Sequence, residues 1–279
     1  MPIQGADISD NQWRLGLPFS ARKGLLSAGV RFLWARASIG LTVDAAFART
    51  RARSAVFDLF GGYHYLTEED TLRQYATFAR VVHNTGGLPG ISAALDIEDD
   101  NTGPILNKPS LRQVKDWVAA FRADHPNGLL AAYSNDATWA RLGNPDVIAL
   151  GFDYAWQADY RQDPPPFPVA PPQAFGGVGR APMWQYGPLH FKTPNGKGHH
   201  VDGDVFYGTT AELKALVTGQ HSQDPGHGTH INARNAELTD IVSSIQSRPA
   251  PTGPADYVAG VISARDAAVE AVRHLKTGG

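Results

Sequence analysis

Through its first two hundred residues the chain alternates between short β-like runs and helix-like runs, and that alternation leaves few folds open. Runs at 5–9, 30–37, 59–65, 90–97, 129–133, 154–157, 183–186 and 201–206 have strand character. Helices are expected at 20–28, 45–56, 68–83, 109–123 and 211–217. In 68–83, for example, Leu72, Tyr75, Phe78, Ala79 and Val82 recur at helical spacing. Such alternation favours a parallel sheet covered by helices, and eight strands is the number that closes a β/α barrel. The stretch 163–172 reads DPPPFPVAPP, which no helix tolerates. The expected fold is therefore α/β, an irregular TIM-like β/α barrel with few helices in its second half. The competing arrangement is an open doubly wound sheet. No phosphate-cradling glycine fingerprint follows the first strand, which counts against a nucleotide-binding version of that alternative.

Composition changes after Gly219. Residues 1–219 form the expected barrel unit, 220–232 a solvated linker (QHSQDPGHGTH over 220–230), and 233–279 a helical C-terminal extension. Within the extension Val258, Val261, Ile262, Val269, Val272 and Leu275 fall in one stripe. Two helices bury too little to fold alone, so they are expected to pack on the barrel, on a partner, or on a second copy as a homo-oligomer.

Several classes drop out on composition. With no cysteine there is no disulfide scaffold, thiolate zinc site or cysteine nucleophile. A formal net charge of −2 gives no field directed at nucleic acid or an anionic membrane. No stretch approaches the roughly 20 apolar residues of a bilayer span, so membrane insertion is not expected. Residues 1–7 lack the positive region and apolar run of a secretory signal. No Gly-x-Ser-x-Gly elbow appears, which disfavours a Ser–His–Asp hydrolase.

What remains is a set of acids at strand ends: Asp7, Asp96, Glu98 and Asp202. Asp96 and Glu98 lie two apart on one strand and so share a face, with Cα atoms about 6.5–7 Å apart. The preceding Ile91-Ser92-Ala93-Ala94-Leu95 is small or apolar, so this strand runs out of the core and delivers two acids at its exit. Only if the sheet closes do the first and last strands become neighbours, which brings Asp7 to Asp202. Crowded carboxylates raise one another's pKa, and the most desolvated becomes a candidate general acid. Paired acids in different roles suit glycosidic cleavage. The pattern alone leaves two alternatives open, a Ca²⁺ or Mg²⁺ site and simple solvated acids.

The same positions resemble the glycoside hydrolase family 25 muramidases, lysozymes of the phage endolysin and bacterial autolysin type. The match begins with Gly5-Ala6-Asp7-Ile8-Ser9 and Gln12-Trp13, and continues through Phe32-Leu33-Trp34-Ala35-Arg36-Ala37-Ser38 and Gly40. Asp44 to Phe47, Gly62-Tyr63-His64-Tyr65 and Leu95-Asp96-Ile97-Glu98 follow in order. Ala132-Tyr133-Ser134, Trp156-Gln157-Ala158-Asp159-Tyr160, Trp184-Gln185-Tyr186 and the run from Val201 to Phe206 complete it, so that the resemblance spans roughly residues 3–217. It implies cleavage of peptidoglycan glycan strands between N-acetylmuramic acid and N-acetylglucosamine, without a cofactor or metal. By the same resemblance Glu98 is the general acid. Asp96 stabilises developing positive charge or orients the substrate acetamido group, and Asp7 and Asp202 complete the cleft. An enzyme nucleophile and neighbouring-group help from the substrate both stay open. It further implies a protein made in the host cytoplasm, acting on the wall after release, during phage-mediated lysis. Non-catalytic wall binding and metal-dependent hydrolysis in the same cleft are the alternatives. The chain departs from the family with Arg36 in place of Lys, Ile39 in place of an acid, Ala45 in place of Pro, and Gly203 in place of Leu.

Candidate substrate contacts are Tyr63, Arg36, Tyr133, Trp156, Trp184 and His64, with Trp13 and Tyr186 as further rings able to cover a pyranose. Trp34, Trp117 and Trp139 sit in core-like patterns. The pair His199-His200, and His221, His227 and His230 in the linker, lack the spacing of a zinc site.

Overall fold

The computed structural model describes residues 2–88, 92–100, 107–160, 167 and 170–218, with side chains given as far as Lys214. The expected linker at 220–232 and helical extension at 233–279 lie outside the described residues, as does the start of the strand expected at 90–97.

Eight strands close into a ring. In chain order the elements begin with β1 (Ile3–Ile8), α1 (Phe19–Ser27), β2 (Phe32–Ile39) and a two-residue strand β3 (Thr42–Val43) folded back on β2. Next come α2 (Phe47–Arg53), β4 (Leu59–Tyr65), α3 (Thr71–Asn84), β5 (Ser92–Asp96) and α4 (Leu111–Asp124). Then follow β6 (Leu129–Ser134), α5 (Asp136–Arg141), β7 (Tyr154–Ala158), β8 (Met183–Lys192), β9 (Gly198–Phe206) and α6 (Thr210–Thr218). The hydrogen-bonded order is β1-β2-β4-β5-β6-β7-β8-β9, and β9 returns to β1. Helix starts are set by local chemistry. Asp70 accepts from the Arg73 amide, Asn135 accepts from the Thr138 amide, and Ser110 with Gln113 forms a capping box. The helix at Asp136–Arg141 has no counterpart among the expected elements.

One expectation needs correction. The ring is parallel from β1 through β8, but β9 runs antiparallel to both β8 and β1. Only residues 193–197 connect β8 to β9, which suffices for a hairpin and is far too short for a parallel crossover. Both strands also extend beyond their expected limits, to Lys192 and back to Gly198. The direction of β9 decides the site. Its N-terminal half lies at the end where the other strands finish, so Asp202 reaches the same mouth as Asp7.

Pleating divides the ring into two apolar layers. Phe32, Trp34, Leu59, Tyr63, Ala131, Tyr133 and Trp156 point inward, while Leu33, Phe60, Leu95, Leu130 and Ala155 face the helices. Leu213 of α6 joins the interior cluster and closes the end away from the cleft. Gly61 leaves room for an inward tryptophan. A Cβ there would stand 2.3 Å from the Trp34 ring, so a side chain would drive the indole out of the barrel.

Candidate active site

At the open end the strands surround a cavity of about 170 Å³. β1 contributes Asp7, β2 Arg36, β4 Tyr63 and Tyr65, β5 Asp96 with Glu98 just beyond it, β6 Tyr133, β7 Trp156, β8 Gln185 and β9 Asp202. Ser9, Asn11, Gln12 and Tyr160 complete the lining. All four expected carboxylates and Tyr63, Arg36, Tyr133 and Trp156 therefore share one cleft. Asp7 and Asp202 are register partners across the β1–β9 seam, and Asp96 pairs with Tyr65 on one side and Tyr133 on the other.

Two expected contacts lie elsewhere. His64 follows inward-facing Tyr63 on β4 and so points outward. It is fully buried, with Ser38 Oγ 2.8 Å from Nδ1, Gln74 Oε1 3.1 Å from Nε2, and its ring stacked on Trp117. Trp184 precedes inward-facing Gln185 on β8 and also points out. Its Nε1 donates to the Asp159 carbonyl at 2.8 Å, and its ring packs with Tyr186 and Phe167. Tyr186 shares that outer face, and Trp13 packs against Phe191 and His199. None of these four rings lines the cavity. Gly203 belongs to the same outer layer. A Cβ at that position would stand 2.4 Å from the Tyr186 ring, so Tyr186 occupies the volume that a leucine at 203 would need.

Gln185 organises the cleft floor. Its Nε2 donates to Asp7 Oδ2 at 2.6 Å, and its Oε1 accepts from the hydroxyls of Tyr133 and Tyr160, each at 2.6 Å. The two phenols fix the amide orientation, which leaves the NH₂ no other choice than Asp7. Arg36 is held from behind. Its guanidinium meets Asp10 at 2.5 Å and the buried Asp44 at 2.9 Å, while Asp44 also accepts from the amides of Asp10 and Ala46. A lysine offers one point charge and could not bridge both carboxylates from one planar fork.

Burial dominates the electrostatics. It lifts Asp7 and Asp96 well above the usual carboxylate range. Asp202 pushes Asp7 further up and the Gln185 amide pulls it back, while Glu98 and then Asp7 push Asp96 up against the pull of Arg36. Asp202 is raised by burial and eased by His200. Glu98 is lifted by burial to about 7, restrained by the Tyr133 hydroxyl and raised by the charges of Asp202 and Asp100.

Gln185, Tyr160 and Tyr65 line the cleft although sequence reasoning passed them over. Alternation on β8 was the available signal for Gln185, because Met183, an apolar interior residue, shares its parity. Among the described residues no group of three or more His, Asp or Glu side chains is arranged to hold a metal ion, and no helix is long and apolar enough to cross a membrane.

No family model and no curated protein matches the chain. Solved structures do. A muramidase from Acremonium alcalophilum is 24% identical, covering 78% of this chain and 99% of its own, with a TM-score of 0.58. A family 25 glycosyl hydrolase from Bacillus anthracis is 19% identical, with 77% and 93% covered and a TM-score of 0.57. The catalytic domain of endolysin ply40 from bacteriophage P40 of Listeria monocytogenes is 18% identical, with 78% and 98% covered and a TM-score of 0.54. Closed ring, antiparallel last strand and acid-lined mouth together form a barrel with the fold of the family 25 glycosyl hydrolases.

Proposed function

We propose that this chain is a muramidase, a glycosidase that hydrolyses the β-1,4 bond between N-acetylmuramic acid and N-acetylglucosamine in peptidoglycan. The observation that carries the reading is Glu98, a carboxyl lifted to about 7 inside a cleft that holds three further carboxylates. An acid poised there keeps its proton near neutral pH and releases it readily to a glycosidic oxygen. Glu98 protonates the leaving oxygen as the bond to the anomeric carbon breaks. Asp96, the neighbour on the same strand face, meets the positive charge that develops on the sugar. Asp7 and Asp202 complete the acidic wall, and Arg36, Tyr63, Tyr133 and Trp156 position the glycan. Water supplies the incoming hydroxyl, and no cofactor enters.

We further place the activity in phage-mediated lysis, with the enzyme made in the host cytoplasm and reaching the wall after release. The fold shared with an endolysin catalytic domain supports this. The C-terminal extension remains the proposed means of self-association.

Clearing of a suspension of purified cell walls tests the reading. The wild-type chain is expected to clear it, with or without EDTA, and Glu98→Gln to leave it turbid. Folded wild-type protein that sediments with walls without clearing them would return the non-catalytic wall-binding reading. Clearing abolished by EDTA would return the metal-dependent one. For the lysis role, cells expressing the protein internally are expected to lyse only once their membrane is permeabilised.

A further inference from the structure

Beneath the cleft lies a fifth carboxyl that the reaction scheme does not use. Asp204 of β9 is completely buried and does not line the cleft. Its Oδ1 accepts from Trp156 Nε1 at 2.9 Å, but no donor reaches Oδ2. An ionised oxygen so placed would be an uncompensated buried charge. Asp204 is the register partner of Gly5, as Asp202 is of Asp7. Asp7 and Asp204 are thus inward-facing diagonal neighbours on adjacent antiparallel strands, with their two carboxyl groups in contact.

We propose that Asp204 is a positioning residue for Asp7, staying protonated and donating from Oδ2 to the Asp7 carboxylate so that Asp7 gives up its proton more readily than its burial alone would allow. Among the described residues the titratable groups acting on Asp204 are Asp7 on β1, Asp202 on its own strand and Tyr186 on β8, and none of these is cationic. Burial and the Asp7 charge both drive Asp204 far above the usual carboxylate range, while the contact with Asp204 lowers Asp7. Floor and cleft therefore divide one labour. Gln185 and Asp204 each supply Asp7 with a donor, from neighbouring strands.

The functional half of this inference rests on the muramidase reading; the protonation half does not. Asp204→Asn keeps the acceptor for Trp156 and replaces O–H by N–H, so it mimics the protonated acid. Asp204→Leu removes the donor. On the full chain, Asp204→Asn is expected to clear cell walls with close to wild-type kcat and an unchanged pH profile. In Asp204→Leu the acid limb should move upward by about one pH unit, as Asp7 loses a donor to its charged form. Infrared spectra at pH 7 are expected to show a protonated-carboxyl stretch that Asp204→Asn removes and Asp7→Asn does not. Loss of activity in Asp204→Asn as deep as in Asp7→Asn would overturn the inference, because an ionised Asp204 would then be required. A spectrum unchanged by Asp204→Asn would overturn it too, whatever the activity. Wild-type protein that never clears walls but shows the Asp204 band would sink the muramidase reading and leave the protonation assignment standing.

Discussion

Asp7 and Asp202, drawn from opposite ends of the barrel sequence, are direct register partners where β9 runs antiparallel to β1. Their juxtaposition exists only because the sheet closes, and it sets the electrostatics of the mouth. The Asp202 charge raises both Asp7 and Glu98. Asp202→Asn should therefore lower the Glu98 pKa and draw the alkaline limb of the pH–rate profile down by roughly half a pH unit. Profiles of kcat for the two proteins check this. An alkaline limb that moves up would show that Asp202 does not repel Glu98.

Glu98→Gln separates activity from stability. Loss of the proposed general acid is expected to lower kcat by about a hundred- to ten-thousand-fold. Stability should change in the opposite sense. Glu98 titrates at about 7 in the fold against 4.5 as its ordinary value, so the folded state binds the extra proton between those values. Stability is then fully present below about pH 4.5 and falls as pH rises through 7, by up to about 3 kcal/mol from this group. Thermal melts should place Glu98→Gln above wild type at pH 8 and level with it at pH 4.

Gln185→Leu deprives a buried Asp7 of its amide donor and leaves the Tyr133 and Tyr160 hydroxyls without their acceptor. Hydrogen bonds to charged groups are worth about 1.5–3 kcal/mol, so kcat should fall roughly tenfold to a hundredfold. The acid limb should also move upward, as Asp7 becomes harder to ionise. Kinetics across pH, with circular dichroism to confirm folding, read both effects.

Trp184→Phe and Trp156→Phe provide a paired test of which face of the sheet matters. The first loses one hydrogen bond outside the cleft; it should cost about 1 kcal/mol of stability and leave kcat/KM within about twofold of wild type. The second breaks the bond to Asp204 and alters the cavity wall. It should lower kcat/KM by about tenfold or more, in keeping with a buried acceptor on Asp204 left unsatisfied, which costs about 1–3 kcal/mol.

These pairs also show what is legible in the sequence. Asp96 and Glu98 can be read because an apolar strand ends in acids two apart, and parity alone puts them on one side. Closure can be read by counting strands, and it carries Asp7 to Asp202. Face assignment fails where the residue type is persuasive. Trp184 and His64 carry the chemistry that sugar sites use, yet each has the opposite parity to an inward neighbour, Gln185 and Tyr63. The reach of the β8–β9 hairpin is hidden because Gly187 and Pro188 interrupt the run at a register shift. The Leu189, Phe191 and Val201 alternation resumes only beyond it. Asp204 is invisible for a different reason: nothing local distinguishes a buried carboxyl from the cleft carboxyl two residues before it.

The central claim is that Glu98 hands its proton to a glycosidic oxygen in the wall polymer. Mass spectrometry of purified peptidoglycan digested by the full chain tests it most directly. The predicted products carry N-acetylmuramic acid at the new reducing end and are absent from a Glu98→Gln digest. Products ending in reducing N-acetylglucosamine, glycan strands left whole with only peptides cut, or an identical digest from Glu98→Gln would contradict it.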